Sequence, residues 1–137
     1  MGLFRIFDVA GSGMSAQTVR LNTVASNMAN ADVVSTTEEA AYRARQPVFA
    51  AMMQALSTNQ SAVPVRVTGV VESQAPVHKQ HDPGNPLADE QGYVFVSNVN
   101  IVEEMANMIS ASRTYQSNVE VANTSKQLLL DTLKLGQ

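Results

Sequence analysis

The chain has 137 residues, a net charge of −3 and no cysteine. That length suits one ordinary domain, or a small domain with an extended element. The composition excludes disulfides, cysteine-based zinc sites and thiol nucleophiles, and it offers no long-range attraction for nucleic acid. Apolar residues make up 45%, as in folded proteins, but charged residues only 15% against roughly 25% in a typical domain. Ser, Thr, Asn and Gln stand where charge would be expected, so much of the surface is expected to lie against protein. No apolar run approaches the ~18 residues of a membrane span. The start, Met1 to Arg5, lacks the apolar core of a signal peptide, and Ile6 argues against myristoylation.

The first element is a long helix from Leu3 to about Ala31. Leu3, Phe7, Ala10, Met14, Gln17, Leu21, Val24, Met28 and Ala31 recur at steps of four and three, and only Gln17 breaks the stripe. Such a helix would run about 43 Å. Gly11 and Gly13 lie inside it, either as tolerated weak points or where another backbone comes close.

From Ala31 to Asn100 the periodicity changes. Glu38 to Ala41 supports a short helical turn. Tyr42 to Phe49 reads as irregular or extended, with Pro47 excluding a central strand. Val48 to Leu56 is ambiguous, and 57–61 reads as a turn. Val63 to Val71 gives the clearest strand pattern, with Gly69 marking a bulge. His78 to Asn85 reads as a loop, and Gly92 to Val96 as a short extended segment. Small hairpins are expected here rather than a large sheet.

Asn100 can cap a last helix, with Glu103 and Glu104 favouring its positive N-terminus. Its stripe is Ile101, Met105, Met108, Ser112, Tyr115, Val119, Ala122, Lys126, Leu129 and Leu133. The expected fold is therefore mainly α with a small β subdomain. Residues 1–31 and 98–137 form an antiparallel coiled coil, and the β-hairpin-rich segment 32–97 is looped out at one end. Leu21, Val24, Met28, Met105, Met108, Tyr115, Val119 and Leu129 are the expected seam.

The other faces of these helices are unusual. Arg20 is the only charged residue from Val9 to Ala31, and Arg113 and Glu120 the only ones from Met105 to Ser125. An isolated two-helix pair would be marginally stable, so the uncharged faces are expected to pack on neighbouring copies.

Evidence of chemistry is thin. His78 and His81 lack a companion ligand cluster. The segment from Asp82 to Glu90 does not follow a calcium-loop pattern, and no phosphate loop or nucleophile motif occurs. No enzyme activity, metal or cofactor is expected.

Two segments resemble the bacterial flagellar rod and hook axial proteins. Leu21 to Ala31 (LNTVASNMANA) resembles their N-terminal signature. Met108 to Asn118 (MISASRTYQSN) resembles the C-terminal one. A third segment, Asp82 to Val94 followed by Ser97-Asn98-Val99-Asn100 and Glu103-Glu104-Met105, points to a proximal-rod subunit. The resemblance implies a structural protein, exported by the flagellar type III apparatus without a cleaved signal, that polymerises into the periplasm-crossing rod and transmits torque. Implied partners are other copies, the rod proteins FlgB, FlgF and FlgG, the rod–MS-ring adaptor FliE and the MS ring. It further implies that Asn22, Asn27, Asn30, Arg113 and Asn118 serve as caps, interhelical hydrogen bonds or subunit contacts. A second rod subunit such as FlgB, or a secreted coiled-coil adaptor, are the alternative readings.

Overall fold

A computed structural model describes residues 3–52 and 63–135. The expected turn at 57–61, and the end of the ambiguous 48–56 segment, lie outside the described residues. Two long helices, α1 (Leu3–Ala29) and α2 (Ile101–Leu135), enclose five short strands in sequence: β1 (Val34–Ser35), β2 (Arg45–Ala51), β3 (Val65–Glu72), β4 (His78–His81) and β5 (Tyr93–Val96). The fold is mainly helical with a small β part. The helices form the most extensive pairing in the chain.

The pairing is antiparallel. Asn27 meets Glu104, Arg20 donates to Asn107 Oδ1 at 3.0 Å, and Gly13 faces Asn118, so α2 partners rise as α1 numbers fall. The start of α2 is fixed locally. Asn100 Oδ1 accepts from the amides of Val102 and Glu103, at 3.1 and 3.3 Å, as a capping side chain does.

Most of the buried positions between the helices are small, and Val24 of the expected seam is among them. On α1 the buried positions are Ala10, Ala16, Thr23, Val24 and Asn27; on α2 they are Glu104, Ala111 and Ser125. Met105 and Tyr115, placed on the seam by spacing alone, are 50% and 36% exposed. The line of contact lies one residue back along α2. Small side chains let the two backbones approach closely, and bulky ones are left at the flanks. Leu21, Met28, Met108, Val119 and Leu129 occupy those half-buried flanks.

The two helix glycines differ. A Cβ at Gly11 would meet nothing within 4 Å, whereas one at Gly13 would stand 2.8 Å from Asn118 Nδ2. Gly11→Ala is therefore expected to raise stability by up to ~1 kcal/mol through helix propensity. Gly13→Ala should gain less or lose, because Asn118 must move. Equal gains in urea midpoint for both variants would contradict the close approach at Gly13.

β2 and β3 form a two-stranded antiparallel hairpin with a register shift at Val48/Phe49, where Thr68 is the extra residue beside Gly69. Both strands are edges, which is how Pro47 fits within β2. The hairpin lies along α1 rather than at one end of the pair. Ser12 Oγ accepts from the Val65 amide at 3.1 Å near one end of α1, and Asn27 holds Arg45 near the other. The second sheet has the order β1-β5-β4. Its strand β4 was read as loop from the sequence; antiparallel pairing with β5 from His78↔Val96 to His81↔Tyr93 makes it a strand. Pairing overrides the weak intrinsic preference of His-Lys-Gln-His.

The two sheets meet the helices at a polar junction. Ser97 Oγ donates to the Ala31 carbonyl at 2.7 Å. Asn98 Oδ1 accepts from the Ala44 amide, and Asn98 Nδ2 donates to the Ala75 carbonyl, each at 2.7 Å. Ala31, Ala44 and Val99 pack there with Tyr42.

Candidate functional site

Asn27 is the point where α1, α2 and the hairpin join. It is fully buried, at 0% exposure. Its Nδ2 donates to the Arg45 carbonyl at 2.8 Å, and its Oδ1 accepts from the Arg45 amide at 2.9 Å. One side-chain amide thus does for Arg45 what a neighbouring strand would do. Oδ1 also accepts from Tyr42 Oη at 3.0 Å, and Glu104 of α2 accepts from the same amide group. Three of the four bonding positions of the Asn side chain are thus taken by Arg45 and Tyr42, and the amide also acts on Glu104. Within the subunit, Asn27 ties α1 to Arg45 of β2 and to Tyr42 and lies toward Glu104 of α2.

Glu104 is the buried charge of this cluster, at 5% exposure, and its Oε2 has no hydrogen-bond partner. Burial raises its carboxyl above the usual carboxylate range; the Asn27 bond and the Arg20 charge oppose this, and the Glu103 charge adds to it. Arg20 is already committed to Asn107. From sequence Glu104 reads only as a charge suiting a helix N-terminus. Its recurrence with Ala111, Asn118 and Ser125 every seven residues was the available signal that it faces α1.

The pH consequence has a definite sign. A folded-state value above the unfolded ~4.3 means that the stabilising contribution is full below about pH 4.3 and is lost as pH rises through the folded value. Glu104→Gln is therefore expected to unfold at a higher temperature than the native chain at pH 7, with the difference shrinking toward pH 4. Asp89 works the other way. The Tyr93 amide holds its carboxyl below the usual range, so its contribution falls away in acid. Comparing the two chains across pH cancels Asp89, and a pH-independent difference would contradict the Glu104 assignment.

The remaining expected residues are spread out. Asn22 and Arg113 are exposed, and Asn30 is half-buried with Nδ2 donating to the Ser26 carbonyl at 2.8 Å. Asn118 is half-buried against Gly13. His78 and His81 lie on β4, where His81 meets the Tyr93 ring edge-on with centroids 4.9 Å apart. Among the described residues no group of three or more His, Asp or Glu side chains is placed to hold a metal ion, and no helix is long and apolar enough to cross a membrane.

Two family models match the helical ends: Flagella basal body rod protein over residues 7–35, and Flagellar basal body rod FlgEFG protein C-terminal over residues 90–135. Along its whole length the chain is 51% identical to the flagellar basal-body rod protein FlgC of Salmonella typhimurium strain LT2, with 100% of each chain covered. The chain belongs to the FlgC family. It is 53% identical to FlgC of Yersinia enterocolitica and 38% identical to FlgC of Buchnera aphidicola from Acyrthosiphon pisum, again over 100% of each chain. It is thus a structural subunit of the flagellar basal-body rod, and these relatives are rod proteins by name. The matched segments correspond to the two signatures that frame Asn27 and Asn118.

Proposed function

We propose that this FlgC-family subunit polymerises with its own copies and with FlgB, FlgF and FlgG, meets FliE and the MS ring at its base, and transmits torque across the periplasm. In this reading it is exported by the flagellar type III apparatus without a cleaved signal. The helix pair, 1–31 with 98–137, is one unit, and 32–97 is a second, outward unit.

The observation carrying this reading is the bare outer side of α2. Val102, Met105 and Ile109 are 50% or more exposed, at the start of a stretch in which Arg113 and Glu120 are the only charges from Met105 to Ser125. The polar face of α1 is not equivalent, because the hairpin covers part of it through Ser12 and Asn27. Subunit contacts therefore centre on α2, with Asn22 and Arg113 as exposed polar contributors.

Met105→Glu tests this directly. Monomer stability should change by less than ~0.5 kcal/mol, because the site is half exposed. Incorporation into detergent-resistant hook–basal bodies, read by immunoblot, should be lost. Normal incorporation and motility would count against an α2-centred contact. Absence of the unaltered chain from such particles would count against the rod assignment itself.

A further inference from the structure

The β2–β3 hairpin rests on α1 without being buried by it. Of its strand residues only Pro47 and Val67 are even half-buried, and Val48, Phe49, Val70 and Val71 are 40% or more exposed. A two-stranded hairpin with so little apolar burial is marginal by itself in water. What keeps it closed is its attachment to the rest of the chain.

That attachment is unequal at the two ends. At the Arg45 end, the amide and carbonyl of Arg45 are both bonded to the fully buried Asn27. Next to it the Ala44 amide is held by Asn98, and the Ser73 amide donates to the Ala44 carbonyl at 2.7 Å. Arg45 also pairs with Glu72 across the strands at 3.1 Å. The other end lies about 22 Å away along α1. Among the described residues its one hydrogen bond to α1 is exposed, from the Val65 amide to Ser12 Oγ at 3.1 Å. Ser12 Oγ gives its own proton to the Val9 carbonyl at 2.8 Å, so the hydroxyl stays satisfied when the Val65 amide turns to water instead. Breaking such a bond costs little, because water replaces it. Between the two ends the register shifts at Val48/Phe49, beside Gly69, where a Cβ would meet nothing within 4 Å. A bulge of this kind interrupts the ladder and lets the strand bend.

We propose that the β2–β3 hairpin is a hinged flap. Its Arg45 end stays clamped on Asn27, while the half beyond the bulge, 49–51 with 65–67, lifts from α1 and returns. Lifting uncovers the hairpin side of α1 over residues 9–19, a stretch without a charged residue. The subunit thus offers α1 either covered or bare, and the change requires neither helix to move. The inference concerns the subunit alone and does not depend on what it assembles with.

Native-state amide exchange on the full-length chain tests the hinge. The Met52 amide donates to the Pro64 carbonyl at 2.8 Å and reports the lifting end; the Arg45 amide reports the clamped end. After correction for intrinsic rates, Met52 should exchange roughly a hundredfold faster than Arg45, and its rate should not respond to low urea, as openings that expose little surface behave. Fraying at a strand end would give that result without a hinge, and Ser12→Ala separates the two. It removes the far attachment without touching Asn27. Relative to the α2 amides, it should speed Met52 exchange about fivefold or more and leave Arg45 unchanged. Equal protection of Met52 and Arg45 in the native chain overturns the hinge, because the hairpin then opens as one piece. So does Ser12→Ala if it changes neither amide, or both alike.

Discussion

Asn27→Leu is expected to cost the isolated subunit about 4 kcal/mol. Leucine has the same number and branching of side-chain heavy atoms but no polar atom. It would leave the Arg45 amide and carbonyl without partners and remove the interhelical bond to Glu104. Each buried group left unsatisfied costs roughly 1–3 kcal/mol. Tyr42 would keep a weaker contact with Ser26 Oγ at 3.3 Å. Urea unfolding would measure the loss. Amide exchange should show protection disappearing at Arg45 first, since that is where the hairpin detaches from α1. A loss below ~1 kcal/mol with the Arg45 amide still protected would show that Asn27 is not a clamp.

Ala111→Leu is expected to be the second large effect, at about 2 to 3 kcal/mol. Ala111 is 0% exposed at the centre of the helix seam. Added carbons cannot turn aside there, because Arg20 and Asn107 bridge the helices nearby. The seam would have to open, and opening it also weakens the Asn27–Glu104 contact about two turns away. The control is Ile109→Leu, two residues back on the exposed side, which should be close to neutral. If the two leucine variants unfold at the same urea concentration, the helices do not approach as closely as the buried alanines imply.

The long helices were legible because their apolar stripes are long and α2 opens on a conventional Asn100 cap. The rotational setting of α2 was less so. Spacing identifies an apolar stripe, yet the buried line is chosen by size, and Ala111 and Ser125 outcompete Met105 and Tyr115 for the narrow gap. Glu104 was hidden by a second, valid explanation: a carboxylate in a first helical turn needs no other reason. β4 was missed because its side chains carry no strand preference, and only the β5 partner makes it one. Val63 to Val71 was readable because β-branched residues mark a strand even where both faces are wet. That the hairpin would lie on α1 was not readable, since the contacts that dock it come from Ser12 and Asn27, two residues that look like ordinary helix-surface polars.

The polar contacts along the seam have a mechanical consequence. Two helices touching through alanine and glycine present nearly the same surface after one turn, so lengthwise slip by ~5.4 Å would meet little resistance from packing alone. Asn27 on Glu104, Arg20 on Asn107 and Asn118 at Gly13 behave like the teeth of a rack. A slip of one turn would strand the first two pairs and drive Asn118 against a side chain instead of a glycine. Shear applied along α2 is thereby converted into load on directional bonds at three separate levels, and the helix pair carries it at a fixed register.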